Sequence, residues 1–225
     1  MDLTPELVLA TWAGGLAAGA AVVAAWRVVG PGYLWLAGGV TVLFGAGALW
    51  AEPSPPAIVA TGALAAAIAL ARRPPAAVAA FALAAAGYFV AALPGSGVAA
   101  TLTGMAALGG VTAEMVLGHW YLVDPTLPRW ALQRLDLAAA AGMAADVAVL
   151  ALRGAWDWPA GDAVIGWAFV VLAAFSLLLL AAVWFALREP SYSGVMAATG
   201  LSYLAVLTVF GSTVLGRALL DPAAL

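Results

Sequence analysis

The sequence predicts an all-α fold: a polytopic integral membrane bundle of about eight transmembrane helices joined by short loops, forming one domain over residues 1–225. Composition is the first reason. Hydrophobic residues make up 66% of the chain and charged residues 8%, against roughly half and about a quarter in a soluble domain. Mean hydropathy is +1.07, and no water-soluble fold hides that much apolar surface. The second reason is the recurrence of uncharged runs near the ~20 residues that cross a ~30 Å hydrocarbon core as helix. The third is the distribution of arginine, which separates the two ends of those runs.

Proline, glycine and charge punctuate the runs. The first half reads as helices from Leu7 to Val29, Tyr33 to Ala51, Ala57 to Ala71 and Ala76 to Leu93. Their turns are Gly30-Pro31-Gly32, Pro53-Ser54-Pro55-Pro56, Arg72-Arg73-Pro74-Pro75 and Pro94-Gly95-Ser96-Gly97, residue types that stop helices and favour turns. The second half reads as helices from Val98 to Val123, Leu132 to Leu152, Ala163 to Leu187 and Gly194 to Leu215. The third run is short for a bilayer, so it needs local thinning or snorkelling by Arg72 and Arg73. The N-terminal stretch Met1-Asp2-Leu3-Thr4-Pro5-Glu6 carries acids and no basic residue, unlike a cleavable signal peptide, so the first apolar run is expected to be a span.

With eight spans, Arg27, Arg72, Arg73, Arg129, Arg134 and Arg188 fall on one side. The other side receives Arg153 and Arg217, together with Asp2, Glu6, Glu52, Asp157, Asp162 and Asp221. By the positive-inside rule the arginine side is cytoplasmic. The expected location is therefore the cell membrane, with both termini non-cytoplasmic. The pairs Gly15/Gly19 and Thr41/Gly45 are small residues four apart, which let helix backbones approach closely. Trp26, Trp50, Trp120, Trp130, Trp156 and Trp158 sit near expected helix ends, as an interfacial aromatic belt requires.

Absences bound the chemistry. The chain has no cysteine and one histidine, His119, which excludes thiolate metal sites, iron–sulfur clusters and a pair of bis-histidine haems. All eight basic residues are arginine, so lysine imine chemistry is excluded as well. No P-loop, HExxH, GxSxG or aspartate-rich transferase motif occurs. Pro94-Gly95-Ser96-Gly97 superficially resembles an intramembrane serine-protease motif, but the lone histidine belongs near the opposite face. Nothing in the sequence assigns a cofactor, and nothing in it points to nucleic acid.

Charge inside the membrane is the positive signal, because a carboxylate near a helix centre costs about 2.5–3.5 kcal/mol on insertion scales. Glu114 lies about 12 Å from the arginine-side end of its helix, and Asp146 about 20 Å into the next. Asp136 enters that same helix at a depth that approaches Glu114 if the two helices form a hairpin. These acids suggest a proton or cation site, and the plainer alternative is a structural hydrogen bond between helices. Glu114 and His119 are five positions apart, about 140° around a helix, so they do not form a metal pair. His119 suits a titrating group near neutral pH or an interfacial hydrogen bond. Arg129 and Arg134 suit an anionic headgroup or phosphate, or serve only to set topology. Three functions remain open: a small transporter, channel or proton-handling protein using Glu114, Asp146, Asp136 and His119; a non-catalytic subunit or scaffold of a membrane complex that binds lipid, quinone or pigment; and a lipid-modifying enzyme at the cytoplasmic interface. The missing motifs weigh against an enzyme. Expected partners are membrane lipids, further copies of the chain or other membrane subunits.

Overall fold

A computed structural model describes residues 3–158 and 163–221; Asp2 and Asp162, two of the acids assigned above to the outer side, lie outside the described residues. The described residues are almost entirely helical: α1 (Pro5–Trp26), α2 (Pro31–Ala51), α3 (Pro55–Ala69), α4 (Pro74–Gly104), α5 (Gly110–Val123), α6 (Arg129–Leu150), α7 (Ala163–Arg188) and α8 (Tyr192–Ala218), with π-helical turns at Met105–Gly109 and Ala151–Ala155. Among the described residues six stretches are long and apolar enough to cross a membrane, and α3 is a shorter apolar helix.

Local chemistry sets the boundaries. Helices α1 to α4 each begin with proline in the first turn, where its missing N–H is no loss and its φ is already helical. Thr4 caps α1 by accepting the Leu7 N–H at 3.1 Å. Arg27 ends it with φ 56°, a left-handed turn that closes the last carbonyls.

One of the six stretches is the 50-residue run Pro74–Val123, which is continuous by hydrogen bonding but not straight. Gly97 has φ 76° and ψ 166°, a region essentially confined to glycine, and it divides the run into limbs 74–96 and 98–123. Tyr88 on the first limb and Met105 on the second both come up against Gly14 of α1, 3.0 and 2.8 Å from the Cβ an alanine there would carry. In a straight helix those two residues would be about 25 Å apart. The run therefore doubles back on itself. The sequence reading ended the first limb at Leu93, whereas the helix continues through Pro94. Proline removes one hydrogen bond but has a helical φ, and the turn is made by the glycine three residues later.

Small residues are the contact points. A Cβ on Gly15 would lie 2.8 Å from the Gly109 Cα, and one on Gly19 2.5 Å from the Ala113 Cβ, so α1 and the second limb meet almost backbone to backbone. Gly45 of α2 receives the Tyr88 ring, and the Tyr88 hydroxyl shares a hydrogen bond of 2.8 Å with Thr61. Trp12 stacks between Phe44 and Phe210, with centroids 4.3 and 5.1 Å away, and donates to Thr112 at 2.8 Å. That one side chain ties α1, α2, α5 and α8 together.

The bundle has two chemically distinct ends. At one, Ser54 donates to Glu6 at 3.3 Å, Arg153 donates to the Ser96 carbonyl, and the Leu3 N–H donates to Asp221 at 2.7 Å. At the other, Arg72 lies over Trp35, Trp26 meets Trp130 edge to face with centroids 5.2 Å apart, and Arg129 donates to the carbonyls of Glu189, Pro190 and Ser191.

Candidate functional site

The register of α5 against α6 is set where Gly110 meets Ala139, whose Cα lies 3.0 Å from an ideal Cβ at Gly110. Following the antiparallel pair toward the arginine end brings Glu114 level with Asp136. On the other flank Gly118 meets Thr199 of α8, which brings Ser202 level with Glu114. Glu114 thus stands where three helices converge, with Ser202 beside it and Asp136 close enough to act on it electrostatically.

Glu114 is fully buried, and neither carboxyl oxygen has a hydrogen-bond partner. The Ser202 hydroxyl instead directs its hydrogen to the Ala198 carbonyl at 2.8 Å, as Thr199 does to Val195 at 2.9 Å, the back-bonding habit of hydroxyls in helices. Asp136 is also buried, with Oδ1 unpartnered. Val116, Leu117, Leu132 and Leu135, on the same two helices, belong to the buried apolar core. No ion pair to either acid is formed among the described residues, and the buried ion pair of the bundle lies elsewhere.

That ion pair holds Asp146. Arg217 Nη1 and Nη2 approach its two oxygens at 2.9 and 3.0 Å in a bidentate fork, both residues about 1% exposed. Thr103 donates to Asp146 Oδ1 at 2.8 Å, and Arg217 also donates to the carbonyls of Ala100 and Thr213. Gly104 leaves room for the guanidinium. Asp146 therefore has its charge answered, and it lies ten residues beyond Asp136, about 15 Å along α6. The three acids do not form one contiguous ladder: Glu114 and Asp136 come together, and Asp146 belongs to a separate cluster. Arg217 corrects the sequence reading, which put it in an outer loop. Helix α8 runs on to Ala218, and this carries Arg217 into the core as the largest fully buried side chain among the described residues. Only Arg153 then remains as a basic residue at the acidic end.

His119 is exposed, on a different face of α5 from Glu114, with Nδ1 3.3 Å from the Tyr203 hydroxyl. Arg129 is half-buried and bonded to the three carbonyls after α7. Arg134 is exposed and stacks over Trp130 at 4.6 Å. Ser96 is buried, bonded to Thr101 at 2.5 Å and to Ala92, at the end of the bundle away from His119. Arg217 and Thr103, the partners of Asp146, are the members of these clusters that sequence reasoning missed. The signal for Arg217 was its place on the stripe of α8 that also carries Thr199, Ser202 and Thr213, all of them buried.

Among the described residues no three histidine, cysteine, aspartate or glutamate side chains gather to hold a metal. No protein family matches this chain, and no curated protein or solved structure matches it.

Proposed function

We propose that this chain is an eight-span membrane protein, and that Glu114 and Asp136 form the proton-binding site of a small proton-handling transporter. The observation that carries the reading is Glu114: a carboxyl wholly removed from solvent, with both oxygens unpartnered and a second acid beside it. An ionised carboxylate in that position goes uncompensated, a cost of several kcal/mol, and two of them cost more. A bound proton answers both problems, since it neutralises one acid and lets it donate to the other. A hard metal cation fits less well, because it takes about six or more oxygen ligands and two carboxyls stand here. Intramembrane acids that face a bundle interior are characteristic of proton relays.

The span count rests on the run Pro74–Val123, whose length of about 75 Å is more than twice a hydrocarbon core and which reverses at Gly97. Counting its limbs separately and including α3 gives eight crossings.

The test is proton flux in liposomes for wild type, Glu114→Gln and Asp136→Asn, alongside thermal unfolding of each in detergent. Glutamine keeps the shape and loses the exchangeable charge, so Glu114→Gln abolishes flux and leaves the unfolding temperature near that of wild type. Undiminished flux in the Gln variant, or none in the wild type under an imposed gradient, sinks the proposal.

A further inference from the structure

A groove of about 310 Å³ runs between α1, the second limb and the start of α6. Gly15 and Gly19 of α1, with Met105 and Gly110 of the second limb, line its length, and Trp26 and Arg134 stand at its arginine-end mouth. From Trp26 to Gly15 it follows eleven residues of α1, about 16 Å, which is half of a ~30 Å hydrocarbon core and hence one leaflet deep. Its walls are apolar except at the mouth. There the exposed Arg134 lies flat on Trp130, which in turn meets Trp26 edge to face. No carboxylate pairs with Arg134 among the described residues. Arg129, the neighbouring cation, has its guanidinium occupied by three carbonyls.

We propose that this groove binds an anionic phospholipid from the leaflet on the arginine side, with its phosphate headgroup on Arg134 and one acyl chain along the groove. Charge complementarity selects the occupant. A slot one leaflet deep with an unpaired guanidinium at the headgroup level matches an acyl chain that carries an anion at one end. Basic pockets between spans on the cytoplasmic side are where such headgroups bind, and the Trp26–Trp130 pair marks that level. The site is independent of Glu114, which faces the bundle interior.

The experiment uses the full chain in mild detergent, with phosphatidylglycerol, phosphatidylcholine of the same acyl chains, or inorganic phosphate added. Native mass spectrometry reads retained lipid and thermal unfolding reads stabilisation. Phosphatidylglycerol is retained one per chain and raises the unfolding temperature, while phosphatidylcholine and phosphate do not. Arg134→Gln weakens phosphatidylglycerol binding about fivefold, Arg134→Lys keeps the preference, and Ala138→Phe, which fills the groove beside an intact Arg134, reduces retention as well. Equal retention of both lipids, a preference that survives Arg134→Gln, or a shift produced by phosphate alone overturns the proposal. So does a disulfide-linked dimer formed through Ala138→Cys in this cysteine-free chain, which would assign the groove to a second copy.

Discussion

Asp146 and Glu114 are both acids buried in an apolar bundle, yet they are answered in different ways, and the difference predicts how each tolerates substitution. Asp146 shares a bidentate fork with Arg217 and accepts a further bond from Thr103. Removing one partner leaves the other charge buried and uncompensated. Arg217→Ala or Asp146→Ala is therefore expected to cost about 3–5 kcal/mol, whereas the paired replacement Asp146→Leu with Arg217→Met is expected to recover most of that loss. Thermal unfolding in detergent distinguishes the two. Single variants within about 1 kcal/mol of wild type would mean that the pair is not what holds α6 to α8. Glu114 lacks a counter-charge, so its neutral isostere suits the same space. The sequence made Glu114, Asp136 and Asp146 visible as anomalies, because any acid in such a run stands out. It did not make their partners visible. Arg217 is 71 positions from Asp146, and the apolar run read from the sequence stops at Leu215, two residues before the arginine that turns inward.

At the level of helices the punctuation was readable, since proline at a first helical turn and glycine at a reversal act through local sterics. The break in the long run shows what local reading misses. Proline marked the neighbourhood, but Gly97 makes the turn, and its conformation is one that a side chain resists. An added Cβ at Gly97 would meet nothing within 4 Å, so the whole penalty of Gly97→Ala is backbone strain, about 1–3 kcal/mol. Gly62 is the matched control. It is equally open but lies within α3 with ordinary helical torsions, and Gly62→Ala is expected to be neutral or stabilising by up to about 1 kcal/mol. Gly15 makes the contrasting case. There the obstacle is the Met105 carbonyl and the Gly109 backbone, so alanine forces α1 away from the second limb whatever its torsions. Equal stability of Gly97→Ala and Gly62→Ala would show that the reversal does not depend on the glycine conformation.

Across the whole molecule, charge and topology agree in a way that neither establishes alone. The direction of each helix follows from its neighbours, and it places Arg27, Arg72, Arg73, Arg129, Arg134 and Arg188 at one end. Glu6, Glu52 and Asp221 lie at the other, where the Leu3 N–H bonds to Asp221 and draws the two ends of the described chain together. Burial of Arg217 sharpens the asymmetry, because its charge is neutralised inside the bundle and Arg153 is left as the single basic residue opposing six. An excess of arginine in short loops fixes orientation during insertion, while acids contribute little. The arginine end is therefore expected in the cytoplasm and the acidic end outside. The absence of native cysteine makes the test clean. Glu52→Cys stands exposed at the acidic end, and Gly30→Cys stands exposed at the arginine end with open space around it. A membrane-impermeant maleimide applied to intact cells should label position 52 and spare position 30 until the membrane is opened. Labelling of both from outside would place them on the same face and remove the crossing α2 makes between them. The reverse pattern would keep the bundle and invert it, which would move the lipid groove to the outer leaflet, where anionic headgroups are scarcer.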